Sequence, residues 1–106
     1  MITGIDAAST LAILDILRSH SGVEKAVLFG SRAMGTFTPE SDIDICLFGS
    51  TLTLTDQARF AARFEELPLP QRVDVLRYHA ITSAALRAHI DREGLLLYSA
   101  NAQSAP

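Results

Sequence analysis

Asp42 and Asp44 stand one residue apart in the segment SDIDICLF, at the head of an apolar run. In an extended strand, residues two apart project to the same face, with α-carbons about 6.6 Å apart. The two carboxylates therefore point together, while Ile43, Ile45 and Leu47 share the opposite, apolar face. Like charges held this way repel unless a cation relieves them. Oxygen-only ligands suit a hard cation such as Mg2+, which keeps several waters and takes one or two carboxylates together with substrate phosphates. An isolated Asp-x-Asp is more often a solvated pair at the mouth of a strand, so a second feature is needed before the pair carries chemistry.

That feature lies upstream. Residues 24–29 (EKAVLF) read as a buried strand running into Gly30 and Ser31. Gly30 lets a phosphate approach the backbone with no Cβ in the way. Ser31 opens a helical turn whose free N–H groups and hydroxyl suit a phosphate oxygen. Arg32 is a candidate for a further phosphate contact, with an ordinary salt bridge as the alternative. Gly35 permits the turn out of this short helix. Ten residues separate Ser31 from Asp42, enough for a turn, a loop and a return to a neighbouring strand.

The combined pattern, G-S-x10-D-x-D, resembles the signature of the DNA polymerase β-like nucleotidyltransferase superfamily. The longer stretch LFGSRAMGTFTPESDIDICLF is similar, more closely, to the minimal nucleotidyltransferases, the MNT proteins of bacteria and archaea. At ordinary residue frequencies such a match arises by chance on the order of once per 10³ chains of this length, so coincidence is a poor account of it. The resemblance implies a third carboxylate from a later strand. Asp74 in QRVDVLRY supplies it, because its flanking Val73 and Val75 turn it away from the core.

The resemblance implies a site as well. Asp42, Asp44 and Asp74 would hold two Mg2+ ions about 3.5–4 Å apart for in-line displacement on ATP, with Asp74 also able to take the proton of the incoming hydroxyl. Gly30, Ser31 and Arg32 would steady the phosphates. Some relatives carry a second basic residue where this chain has Met34. In the minimal family the partner is typically a separate helical HEPN toxin, whose tyrosine receives AMP, so a hetero-oligomer acting as an antitoxin is implied. Two other readings stand beside it: an antitoxin that silences by binding alone, and a nucleotidyltransferase that modifies a small molecule. Larger members of the superfamily add a helical domain that completes the nucleotide pocket, and half of that pocket is expected to be missing here.

These residues need elements to position them. Residues 6–20 carry Leu11, Leu14 and Leu17 at helical spacing, with Asp6 as N-cap. A second helix is expected from Thr55 or Asp56 as cap to residue 66, and a third from Thr82 or Ser83 to Gly94. Strands are expected at 24–29, 42–48 and 72–77, with LLLY as the last. The fold class is α/β (α+β): a mixed four-stranded sheet with helices on one face, the first two strands pairing antiparallel. By the resemblance it is a polymerase β-like palm. His20 reads as a charge at a helix C-terminus, His89 as a surface residue of an amphipathic helix, and Tyr78 and Tyr98 as packing residues.

Length and composition bound the rest. A chain of 106 residues suits one domain, expected over 1–98 with a frayed tail over 99–106. A formal net charge of −3 argues against direct nucleic-acid binding, whose footprint would be a basic stripe. Cys46 is the only cysteine, which excludes an internal disulfide and makes the cytoplasm the default. No apolar run approaches the ~20 residues of a membrane span, and no signal peptide is visible. A hydrophobic fraction of 48% suggests an apolar patch reserved for a partner.

Overall fold

The computed structural model describes residues 3–100. Helix α1 (Ala7–Arg18) leads into strand β1 (Lys25–Phe29), the four-residue helix α2 (Ser31–Met34) and strand β2 (Ile43–Phe48). Helix α3 (Leu54–Glu65), strand β3 (Val73–Arg77), a 3₁₀ turn (Tyr78–Ala80), helix α4 (Ala84–Glu93) and strand β4 (Leu95–Ser99) follow. The sheet order is β3-β2-β1-β4, with β1 antiparallel to both β2 and β4 and β2 parallel to β3. The sheet is therefore mixed and four-stranded, as the sequence implies. Its single parallel pair requires a crossover, which α3 supplies.

Local chemistry explains the helix ends. Asp6 caps α1, its carboxylate accepting from the Ser9 N–H at 2.7 Å. The cap of α3 is Thr53 rather than Thr55 or Asp56. Asp56 sits at the third helical position and bonds back to the Thr53 N–H, which makes a reciprocal capping box. Ser83 caps α4. No helix among the described residues is long and apolar enough to cross a membrane.

The period-two alternation of the strands divides the core. Ile43, Ile45 and Leu47 of β2, with Ala26 and Leu28 of β1, are fully buried against Ile13, Ile16 and Leu17 of α1 and Phe60 and Phe64 of α3. The other face of the sheet was expected to be bare of helices, and it is not. Val27, Phe29 and Cys46 form a second buried cluster with Ile81 and with Ile90 of α4, Leu86 packing against it. The helix was legible but its side of the sheet was not, because two short apolar faces can be covered equally well by any amphipathic helix. Cys46 lies wholly inside this second cluster, and burial is the largest cause pushing its thiol up to about 12. It is a small buried hydrophobe.

Of the expected tail over 99–106, the first two residues are tied to the sheet. Ser99 is the last residue of β4, opposite Lys25, and the Ala100 N–H bonds to the Glu24 carbonyl at 3.0 Å. Residues 101–106 lie outside the described part of the chain. His20 is also more than a charge at a helix end. Its Nδ1 accepts from the Gly22 N–H at 2.9 Å, and its Nε2 lies 3.2 Å from Asp56, tying the end of α1 to the start of α3.

Candidate active site

The parallel register places Asp44 directly beside Asp74. Neighbouring strands lie about 4.8 Å apart, and residues paired in register point to the same face. The antiparallel register on the other side pairs Asp44 with Phe29, the residue just before Gly30. The three features read separately from the sequence thus meet at one end of the sheet: the glycine turn, Asp44 and Asp74. Asp42 stands one residue before β2 and is exposed, while Asp44 is half-buried.

The electrostatics follow from this crowding. The Asp44 carboxyl is held above its ordinary value, first by burial, then by the Asp74 and Asp42 charges, with His89 pulling the other way. No hydrogen bond from a described residue offsets the burial. Asp74 has a different partner: Arg72, one residue before β3, places Nε 3.0 Å from its Oδ1. Among the described residues no three His, Cys, Asp or Glu side chains are gathered closely enough to cage an ion as they stand. The donor set nevertheless fits a hard cation. It is made of carboxylate oxygens only, the Asp74 and Asp42 charges bear on Asp44, and Arg72 already supplies positive charge to one of its members.

Gly30 is required by two constraints at once. Its backbone sits at φ 78°, ψ −156°, a region closed to residues with a side chain. A Cβ at this position would also overlap Asp44 Oδ2. The turn therefore packs its bare backbone against the carboxylate. Its carbonyl accepts from the N–H groups of Ala33 and Met34, which closes α2. Ser31, the first residue of α2, is half-buried beside it.

Arg32 is not available as a phosphate contact. Its side chain is only 1% exposed. Nε donates to the Ser41 carbonyl at 3.2 Å and Nη1 to the Thr3 carbonyl at 2.9 Å. Nη2 donates to the carbonyls of Ser41 at 3.0 Å, Pro39 at 3.3 Å and Thr38 at 3.4 Å. The Phe37 ring lies beneath the guanidinium at 5.0 Å. No described carboxylate pairs with it, so carbonyl dipoles and the ring carry the charge. Both readings of Arg32 from sequence, phosphate contact and salt bridge, are replaced by a third. It clamps the loop that delivers Asp42, a role invisible without knowing that residues 38–41 fold back over it.

His89 corrects another expectation. The sequence implies a surface residue of α4, yet its Nε2 accepts from the Gly30 N–H at 3.1 Å. A signal was present, because His89 lies three residues after Leu86 and so shares its buried-side stripe. His79, by contrast, is exposed on the 3₁₀ turn at the far end of β3. Tyr98 is buried in the core, and the Tyr78 hydroxyl donates to Asp91 at 2.9 Å, so both tyrosines pack as expected.

Two outcomes follow from this geometry. A raised carboxyl destabilises the folded state when ionised, so metal-free protein should lose stability as pH rises through the Asp44 value and recover none of it up to neutrality. Asp44→Asn should flatten that slope and raise the melting temperature in chelator at neutral pH. A lowered melting temperature would mean that Asp44 holds the fold. Arg32→Met removes five hydrogen bonds from a buried guanidinium to partly buried carbonyls. A hydrogen bond to a charged group contributes about 1.5–3 kcal/mol, so the substitution should lower unfolding free energy by about 3 kcal/mol or more in urea. A surface phosphate ligand at this position would instead leave the urea midpoint unchanged.

A match to the family described as polymerase beta, nucleotidyltransferase spans residues 12–103. No curated protein matches the sequence. Among solved structures, a chain of a toxin–antitoxin complex with AMP-PNP superimposes with a TM-score of 0.72 at 25% identity, covering 89% of this chain and 76% of that one. A chain from the complex of a tri-AMPylated Shewanella oneidensis HEPN toxin with an MNT antitoxin gives a TM-score of 0.67 at 21% identity, covering 91% and 74%. This second likeness bears on the fold alone. With the glycine turn and the carboxylates already joined at one end of a mixed sheet, the family match over most of the sequence decides the matter: the chain belongs to the polymerase beta nucleotidyltransferase family.

Proposed function

We propose that this protein transfers AMP from ATP, with Mg2+, to a tyrosine hydroxyl of a HEPN-type helical toxin, and so serves as an antitoxin. The observation that carries the reading is the register pairing of Asp44 with Asp74 beside the bare backbone of Gly30. A purely binding protein has no use for adjacent carboxylates whose repulsion costs stability. The likeness to a toxin–antitoxin complex with AMP-PNP supports the nucleotide and the class of partner.

In this reading Asp42, Asp44 and Asp74 would hold the metal, and Asp74 would exchange its Arg72 partner for it. Bound Mg2+ would supply Lewis-acid polarisation of the triphosphate and relief of the carboxylate repulsion. Gly30 and Ser31 orient the outer phosphates. The acceptor oxygen attacks the α-phosphorus, the bond from that phosphorus to the bridging oxygen of the β-phosphate breaks, and pyrophosphate leaves. Asp74 receives the proton of the acceptor hydroxyl. Asp42 and Asp74 lie at the surface end of the sheet, so an acceptor carried on another protein can reach them without passing through the core.

The test is intact-mass measurement of a HEPN-type toxin after incubation with this protein, ATP and Mg2+. The partner should gain one adenylyl group per modified tyrosine with the wild type and none with Asp74→Asn. Equal silencing of the toxin by Asp74→Asn without a mass change would replace transfer with binding alone. Labelling of a small molecule but not the HEPN protein would move the acceptor to another class.

A further inference from the structure

We infer that His89 is a positioning residue for the nucleotide's phosphates, acting through the backbone of Gly30; the inference rests on the nucleotidyltransferase reading of that turn. Gly30 lacks the Cβ that would otherwise restrict its rotation, and it occupies a conformation other residues avoid. Something must select that conformation. The Gly30 N–H points back toward α4 and donates to His89 Nε2 at 3.1 Å, across 59 residues of sequence. Nε2 can accept only in the tautomer whose proton sits on Nδ1.

The imidazole is itself held. Its ring meets Phe29 edge to face at 6.2 Å and 76°. The helix beneath is fixed by buried Ile90, by Leu86 in the same cluster and by the Tyr78–Asp91 hydrogen bond. A rigid acceptor on α4 thus fixes the peptide plane entering Gly30. That plane sets both the direction of the following N–H groups and the fit of the glycine against Asp44 Oδ2. His89 touches neither substrate nor metal in this account; it orients the turn that does.

The chemistry of the side chain makes the inference testable. Glutamine carries its carbonyl oxygen at the reach of Nε2, whereas asparagine stops at the reach of Nδ1. In full-length protein, His89→Gln should keep ATP affinity, by calorimetry with Mg2+, within about twofold of wild type. His89→Ala and His89→Asn should each lose about three- to tenfold, the range of one neutral hydrogen bond. A second readout needs no nucleotide. Hydrogen exchange at the Gly30 amide, followed by NMR, should be slow in wild type and His89→Gln and faster in His89→Asn. If asparagine and glutamine behave alike in affinity and exchange, the inference is overturned, even should the alanine variant fold poorly. Normal wild-type binding with unchanged affinity in every variant overturns it too. Absence of ATP binding by the wild type instead removes the reading of the turn itself, whatever the Gly30 exchange rate.

Discussion

Two carboxylates forced side by side on adjacent strands organise this molecule. Asp44 and Asp74 meet because β2 and β3 run parallel in register, in a sheet whose other pairings are antiparallel. Parallel neighbours cannot be joined by a tight turn, so the chain spends α3 and its following loop on bringing Asp74 back to the same end as Asp44. The apolar residues between these acids take the opposite face, and that face is the larger core. Burial of Ile43, Ile45 and Leu47 thus holds the acids in place against their mutual repulsion. The same residues that supply hydrophobic stabilisation fix where the charge must sit.

The neighbouring elements adapt to that charge. Gly30 gives up a side chain because Asp44 occupies the space where one would be. Arg32, the residue after next, does not reach out to the acids but turns inward, where five hydrogen bonds to four carbonyls draw the 38–41 loop over it. A guanidinium presents five donors in a planar fork, and few side chains could satisfy so many carbonyls at once. The loop's last residue before Asp42 is Ser41, which receives two of those bonds. A buried cation therefore sets the approach of an exposed anion without forming an ion pair with it.

Helix α4 completes the arrangement from the carboxylate face. It closes the second core cluster through Ile90 and Leu86, and it delivers His89 to the Gly30 N–H. Packing and site geometry are one construction here. The phosphate turn is supported by an element that arrives late in the chain and from the side of the sheet where the sequence implies no helix.

Sequence alone was sufficient for the elements whose signals are local. The isoleucine alternation of β2 placed Asp44 on the face opposite the larger core, Asp6 and Ser83 announced their helices, and Gly30-Ser31 with its spacing to the aspartates carried the resemblance that the family match bears out. The antiparallel return of β2 onto β1 was also legible, because consecutive strands joined by a short connection commonly pair. What needed tertiary structure were the contacts made across long separations. Whether Arg32 faces solvent or carbonyls depends on the path of residues 38–41, and whether His89 is a surface residue or an acceptor depends on which side of the sheet α4 covers. No spacing encodes the first, and the spacing of His89 from Leu86 says only that it shares a buried-side stripe, not which partner it finds there. Helical and strand periodicity report which residues seek burial, whereas the partner each polar group finds is set by the packing of whole elements, once every buried donor and acceptor has been satisfied.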